Sequence, residues 1–427
     1  MLHMVRHIRP NVVYLFMTKE IENRDERDNR FEKAIHDVDP SITVKKIKTS
    51  IIDPHLHQAS SAILKKHFND ICETHIEEDI YINISSGTPQ LITVLNLLIV
   101  SSPYNVFPYQ VTTPVNSGNQ TQTTGDDYAI DDEIECNLDG DKNAETKNRL
   151  QHADLMQYKK TLVFSQIKEL IKRQYDYAGA LTLLKNSRIN APDTIFNLLK
   201  HGSYRLSLNT KEASKRLKQI GLLSDFPIHT NSRWAEMIEY FLIIKVQQKT
   251  GQFSNMALML DPFSIRLQET YMKTVLNYDP NKLFLETRGQ GKRKRSIISR
   301  EKINQFDKKL MERLDEQYNG FYDKEPSVNI YHSILEFLHE TKAHNNDGFL
   351  EISSKYLLGL KDLRNTLAHD LRTTDDDEIN DTIGIHSKLL LNKIESVINH
   401  TFSIRRNHLD IYERLNAKIN TLLDKAK

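Results

Sequence analysis

Arg364, Asn365 and His369 lie within six positions of one another, in the segment Lys361-Asp362-Leu363-Arg364-Asn365-Thr366-Leu367-Ala368-His369. A guanidinium is always charged, holds two phosphate oxygens in a fork and offsets negative charge that builds on them. An imidazole moves protons near neutral pH. An amide can fix either the imidazole or the substrate. Together the three suit chemistry on a phosphodiester. The same residue types also decorate ordinary solvated helix faces, so their placement has to be argued.

The placement follows from a helix expected over 349–370, with Asn346 or Asp347 as its cap. Tyr356, Leu360, Leu363 and Leu367 recur at spacings of four, three and four, the stripe of a helix facing a core. At roughly 100° per residue, Asp362, Asn365 and His369 fall on the opposite face, with Arg364 at its edge. Asn365 and His369, four apart, are side-chain neighbours.

A second informative stretch is Ser85-Ser86-Gly87-Thr88-Pro89-Gln90. Gly87 permits a turn with positive φ, and Pro89 suits the first turn of a following helix. Three hydroxyls and free helix N–H groups then make an arrangement able to hold phosphate. A plain capped helix start reads the same way. No G-x-G-x-x-G and no Walker lysine occur, which argues against an ordinary dinucleotide or ATP site.

The elements around these stretches alternate. Asn11–Thr18, Ser41–Lys48, Asp79–Ile84 and Phe107–Thr113 read as strands. Helices are expected over Lys19–His36, from Asp53-Pro54 to about Ile76, and over Leu91–Val100. Strand and helix in alternation predict a parallel α/β sheet. In such sheets ligands sit beyond the carboxyl ends of the strands. Residues 115–147 turn polar and then acidic, a solvated covering in which Tyr128–Leu138 is a candidate strand pair. From about Arg149 onward the pattern is helical. Arg288–Arg295, RGQGKRKR, is a basic run broken by two glycines: a solvated loop, or an arm in which Lys292, Arg293, Lys294 and Arg295 track phosphates.

Composition sets the bounds. A chain of 427 residues suggests two or three domains. Lys plus Arg total 58 against 57 Asp plus Glu, which excludes a broad, non-specific nucleic-acid surface and leaves any RNA contact local. Cys72 and Cys136 are too few for a disulfide framework and lack metal-ligand spacing, which suits a reducing cytoplasm. The longest apolar run, Leu91–Val100, is too short to span a bilayer, and 1–10 lacks the features of a signal peptide.

Arg364-Asn365-x-x-x-His369 resembles the R-N-x-x-x-H signature of HEPN ribonucleases, and the S-G-T turn after a central strand resembles that of a CARF domain. CARF followed by HEPN is the layout of the accessory ribonucleases of type III-A (Csm) CRISPR systems, and the resemblance covers essentially the whole chain. It implies a Rossmann-like CARF sensor at 1–148, a helical connector at 149–230 and an all-α HEPN domain at 231–427. It implies a homodimer in which Arg364, Asn365 and His369 of both copies form one composite, metal-independent site. That site would cut single-stranded RNA by attack of the ribose 2′-hydroxyl. Thr18, Lys19, Ser86, Gly87, Thr88, Thr112 and Thr113 would line the site for a cyclic oligoadenylate activator, hexaadenylate favoured over tetraadenylate. Some family members also cleave the ring there. No cofactor, metal, membrane or stable DNA partner is implied. Two rivals stand beside this reading: a non-catalytic nucleotide-sensing regulator and a HEPN toxin-like ribonuclease without ligand control.

Overall fold

The computed structural model describes residues 1–112, 129–135, 147–228, 234–288, 294–342, 348–369, 372–402, 404 and 406–426. The chain forms two compact units, 1–163 with 185–189 and 164–184 with 190–426.

The first unit is α/β and Rossmann-like. β1 (Val12–Met17) runs parallel to β2 (Thr43–Lys48), pairing Val12 with Thr43 and Met17 with Lys48. β3 (Ile80–Asn83) runs parallel to β4 (Val106–Val111), and β5 (Leu150–His152) adds to β4 in the antiparallel sense. Sequence predicted one parallel sheet; hydrogen bonding instead gives two sheets, β1–β2 and β3–β4–β5. β5 escapes a reading by alternation because it has three residues and two are polar. Phe16 of β1 joins Leu64, Leu91, Val94, Leu95 and Leu98, so the helices His57–Thr74 and Pro89–Ser101 pack across that strand.

An N-terminal helix, Leu2–Ile8, goes unannounced by periodicity and closes the far side, with Val5 packed on Ile35 and Ile42. The helix expected over 19–36 is two, Lys19–Asp28 and Arg30–Val38, because Asn29 sits at φ 55° between them. Asp53 does not cap a helix at Pro54: its carboxylate accepts from the His55 N–H at 3.0 Å in a local turn, and the helix starts at His57. Within the candidate strand pair at 128–138, Ile130–Glu135 is a helix.

The second unit is helical. Phe253–Thr274 is its centre, packing against Ala235–Lys249, Val328–Lys342 and Leu360–His369. Pro262 lies inside this central helix, which continues through it. Met256, Leu260, Phe263, Leu267 and Tyr271 are all buried along it. Each such side chain contributes on the order of 1.5–3 kcal/mol, enough to offset the hydrogen bond a proline removes. The acidic run at 375–378 begins the helix Asp376–Ile383. Asp375 accepts from the Glu378 N–H at 2.9 Å, and the carboxylates that follow suit a helix N-terminus.

The other departure from helix is a hairpin of β6 (Phe284–Arg288) and β7 (Lys294–Ile298), in antiparallel register from Phe284–Ile298 to Arg288–Lys294. Of the basic run, Arg288 ends β6 and Lys294 and Arg295 begin β7. Lys292 and Arg293 lie outside the described residues, and Lys294 and Arg295 are described in backbone only. No described helix is long and apolar enough to cross a membrane.

Candidate functional site

The chemical triplet sits on Leu360–His369, hereafter the motif helix. Leu360, Leu363 and Leu367 are buried, as the stripe requires. The fourth buried position is Leu357, and Tyr356 is only half-buried. A π-turn at Ser353–Leu357 advances the chain by one residue there, with the Leu358 N–H donating to the Ser353 carbonyl at 3.3 Å. Gly359 follows because the helix Asp376–Ile383 passes close: a Cβ at 359 would meet Ile383 Cγ2 at 2.8 Å.

On the outward side Arg364 is exposed and Asn365 half-buried. Arg364 Nη1 donates to Asn365 Oδ1 at 3.1 Å, so the amide steadies the guanidinium. His369 ends the motif helix, and its side chain lies outside the described part. An exposed guanidinium braced by an amide, on a helix anchored by four buried leucines, is able to grip a phosphodiester.

The strand-end residues are drawn together by a continuous series of hydrogen bonds along one rim of the first unit. Thr49 N–H and Oγ1 both donate to the Met17 carbonyl, at 3.0 and 2.8 Å, and the Lys19 N–H donates to the Ile51 carbonyl at 2.9 Å. Thr88 Oγ1 donates to the Pro54 carbonyl at 2.9 Å. The Val111 N–H donates to Ser85 Oγ at 2.5 Å. Thr112 exchanges bonds with Arg149, whose guanidinium donates to the Thr112 carbonyl at 2.6 Å. The loops after β1, β2, β3 and β4 thus share one edge.

Gly87 has φ 123° and leaves its peptide exposed; Thr88 caps the helix Pro89–Ser101, accepting from the Leu91 N–H at 3.4 Å. Ser86 is exposed and held by Asn83 Nδ2 at 3.2 Å. Thr18 is largely buried, and Lys19 is paired with Glu22 at 3.0 Å. Such an exposed pair stabilises little, so the ammonium is available to an anion. Thr113 lies outside the described residues. Among the described residues, no group of three His, Cys, Asp or Glu side chains converges to hold a metal ion.

Three family models match the chain in order: the Cas_Csm6 CARF domain over 43–150, the Csm6 6H domain over 153–206 and the Cas_Csm6 HEPN domain over 226–420. The chain belongs to the Csm6 family. The CRISPR system endoribonuclease Csm6 of Mycobacterium tuberculosis is 24% identical over 430 residues, covering 100% of this chain and 94% of that protein. That of Streptococcus thermophilus is 24% identical over 444 residues, covering 99% and 95%. The fold matches a solved structure of Enterococcus italicus Csm6 bound to cyclic hexa-2'-fluoro-hexa-dAMP, with a TM-score of 0.71 and 18% identity over 99% of this chain and 94% of that one.

The motif helix lies inside the Csm6 HEPN match, and Ser86, Gly87, Thr88 and Thr112 lie inside the CARF match. Thr18 and Lys19 precede it, and the bond from the Lys19 N–H to the Ile51 carbonyl ties their loop to the rim. Sequence reasoning missed Arg149 and Pro54 as parts of that rim, and it missed Ser353 beneath the motif helix. None carries a local signal, because each acts on a residue distant in the chain.

Proposed function

We propose that this chain is an endoribonuclease switched on by a cyclic oligoadenylate. Its sensor would span 1–148, its connector 149–230 and its nuclease 231–427. The observation that carries the reading is the exposed, amide-braced Arg364 on the motif helix, within an R-N-x-x-x-H string in the HEPN match. The names of the Mycobacterium and Streptococcus relatives, and the ligand of the Enterococcus structure, support nuclease and activator respectively.

In the reaction, the ribose 2′-oxygen attacks phosphorus and loses its proton. The bond to the 5′-oxygen breaks, and that oxygen takes up a proton. The products are a 2′,3′-cyclic phosphate and a 5′-hydroxyl. Arg364 grips the non-bridging oxygens and offsets their charge in the transition state. His369 moves protons, and Asn365 holds the guanidinium. Two copies of the motif helix form one composite site in a homodimer. A single-stranded substrate suits this, since a splayed backbone permits in-line attack. Ser86, Gly87, Thr88, Thr112 and Thr113, with Thr18 and Lys19, receive the ring, hexaadenylate in preference to tetraadenylate. A ring that binds the active arrangement better shifts the population toward it.

The test is cleavage of a fluorescent single-stranded RNA in EDTA with cyclic tetra- or hexaadenylate, wild type beside Arg364→Ala and His369→Ala. Ring-dependent cutting lost in both variants supports the reading. Cutting that survives either variant removes the catalytic assignment. Ring binding without any cutting leaves a nucleotide-sensing regulator. Loss of activity in EDTA removes the metal-independent step.

A further inference from the structure

We propose that Ser353, clasped between Gln268 and His332, is a positioning residue for the nuclease site, an inference that rests on the reading above. The π-turn at Ser353–Leu357 inserts one residue ahead of the motif helix. One residue is roughly 100° of helix rotation. It is this step that brings Leu357 rather than Tyr356 to the core. By the same step it sets the direction in which Arg364 and Asn365 face.

Something must hold the insertion at 353, and the surroundings of Ser353 supply it. The residue is fully buried, as is Gln268 on the central helix; His332, on Val328–Lys342, is 5% exposed. Gln268 Nε2 donates to Ser353 Oγ at 2.9 Å and to the Val328 carbonyl at 3.3 Å. His332 Nδ1 lies 3.0 Å from the same Oγ, and its Nε2 lies 3.2 Å from Glu336 Oε1. One tautomer satisfies this row: Nε2–H donates to Glu336, Ser353 O–H donates to Nδ1, and Ser353 Oγ accepts from Gln268. Burial lowers the His332 pKa, which favours that neutral form.

A serine inside a helix ordinarily turns its hydroxyl back to the carbonyl four residues earlier. Here the hydroxyl goes to side chains of two other helices. One of these, Phe253–Thr274, packs directly on the motif helix. In a dry interior such a row has no solvent to replace a lost partner. Moving the insertion by one residue would cost both Gln268 and His332 their bond to the Ser353 hydroxyl, so the row fixes where the π-turn begins.

The experiment uses the full chain, cyclic hexaadenylate and fluorescent single-stranded RNA, with wild-type activity established first. Absence of ring-dependent cutting by wild type refutes the functional reading, not this inference. Given that activity, Ser353→Ala should lower kcat about ten-fold or more with KM and ring affinity unchanged, because small misplacements of catalytic groups are costly. His332→Asn, whose amide can occupy the Nδ1 position, should recover most of the activity lost in His332→Ala. If Ser353→Ala does not accumulate as folded protein, Gln268→Leu reads the same contact from the other side at near-constant volume. Ile195→Val, in a helix remote from this row in sequence and buried to the same degree, is the control for lost stability alone. An unchanged kcat overturns the inference. So does a fall in kcat that merely tracks Tm as it does in Ile195→Val, or failure of Asn to improve on Ala at 332.

Discussion

Two irregular turns lead into the two helices that matter here, and they are built on different principles. The turn before Pro89–Ser101 is made locally. Gly87 takes φ 123°, Pro89 starts the helix, and Thr88 caps it within three residues. The turn before the motif helix is made at a distance. Its π-step is held by Gln268 and His332, which are 85 and 21 positions from Ser353. In the proposed function the first turn offers backbone and hydroxyls to a ligand, and short-range geometry is enough for that. In the proposed function the second turn aims side chains at a reacting phosphate, and a helix face is aimed by what it packs on.

The sharpest way to break the comparison is Arg364→Ala. It should lower cleavage by on the order of 10²–10³-fold while ring affinity, read by titration, stays the same. Equal loss of ring affinity would mean that the two regions are not separable.

A second prediction concerns how tightly the helical unit is packed. His201 is fully buried, and its imidazole is pushed down to about 4, chiefly by burial and then by the Arg205 charge. The folded state keeps it neutral, whereas the unfolded chain takes up a proton below 6.5. Its contribution is therefore complete above 6.5 and declines as pH falls toward 4, by roughly 3 kcal/mol in all. Urea denaturation at pH 7 and pH 4.5 should show that loss in wild type and a smaller one in His201→Gln. An equal loss in both would assign the acid sensitivity to other groups.

Gly87→Ala forces a side chain into a left-handed conformation and should cost about 1–3 kcal/mol by denaturant melting. If the rim is the ring site, affinity should fall too; a stability change alone would make this turn purely structural. The smallest effect is expected at the cap: Thr88→Val should cost about 1 kcal/mol, and Thr88→Ser should be near neutral. A Val variant as stable as wild type would mean that neither the cap nor the hydroxyl's bond to Pro54 contributes to stability.

Much of the candidate site was legible. Leu360, Leu363 and Leu367 point inward as their spacing requires, which puts Arg364 and Asn365 outside. The S-G-T turn, its cap and its proline are all where local chemistry demands. Other features were not legible. Tyr356 fits the apolar period but yields to Leu357 at the π-turn. Proline is disfavoured inside a helix, yet Phe253–Thr274 passes through Pro262 because its flanking turns are buried. The polar β5 is a strand only because β4 offers an edge.

By itself, then, the sequence determined what short-range forces decide: the alternation of strand and helix, the buried stripe under the motif helix, the turn at Gly87, and which residues carry charge and titratable protons. These follow from periodicity and backbone sterics acting over a few residues. Tertiary structure alone decided the stitching of the strand-end loops into one rim, the burial of His201, and the π-step that turns Leu357 rather than Tyr356 to the core. Each of these depends on contacts between residues that are not neighbours in the chain. Such a contact has no period and no local motif, and it forms only once folding has brought its two segments together.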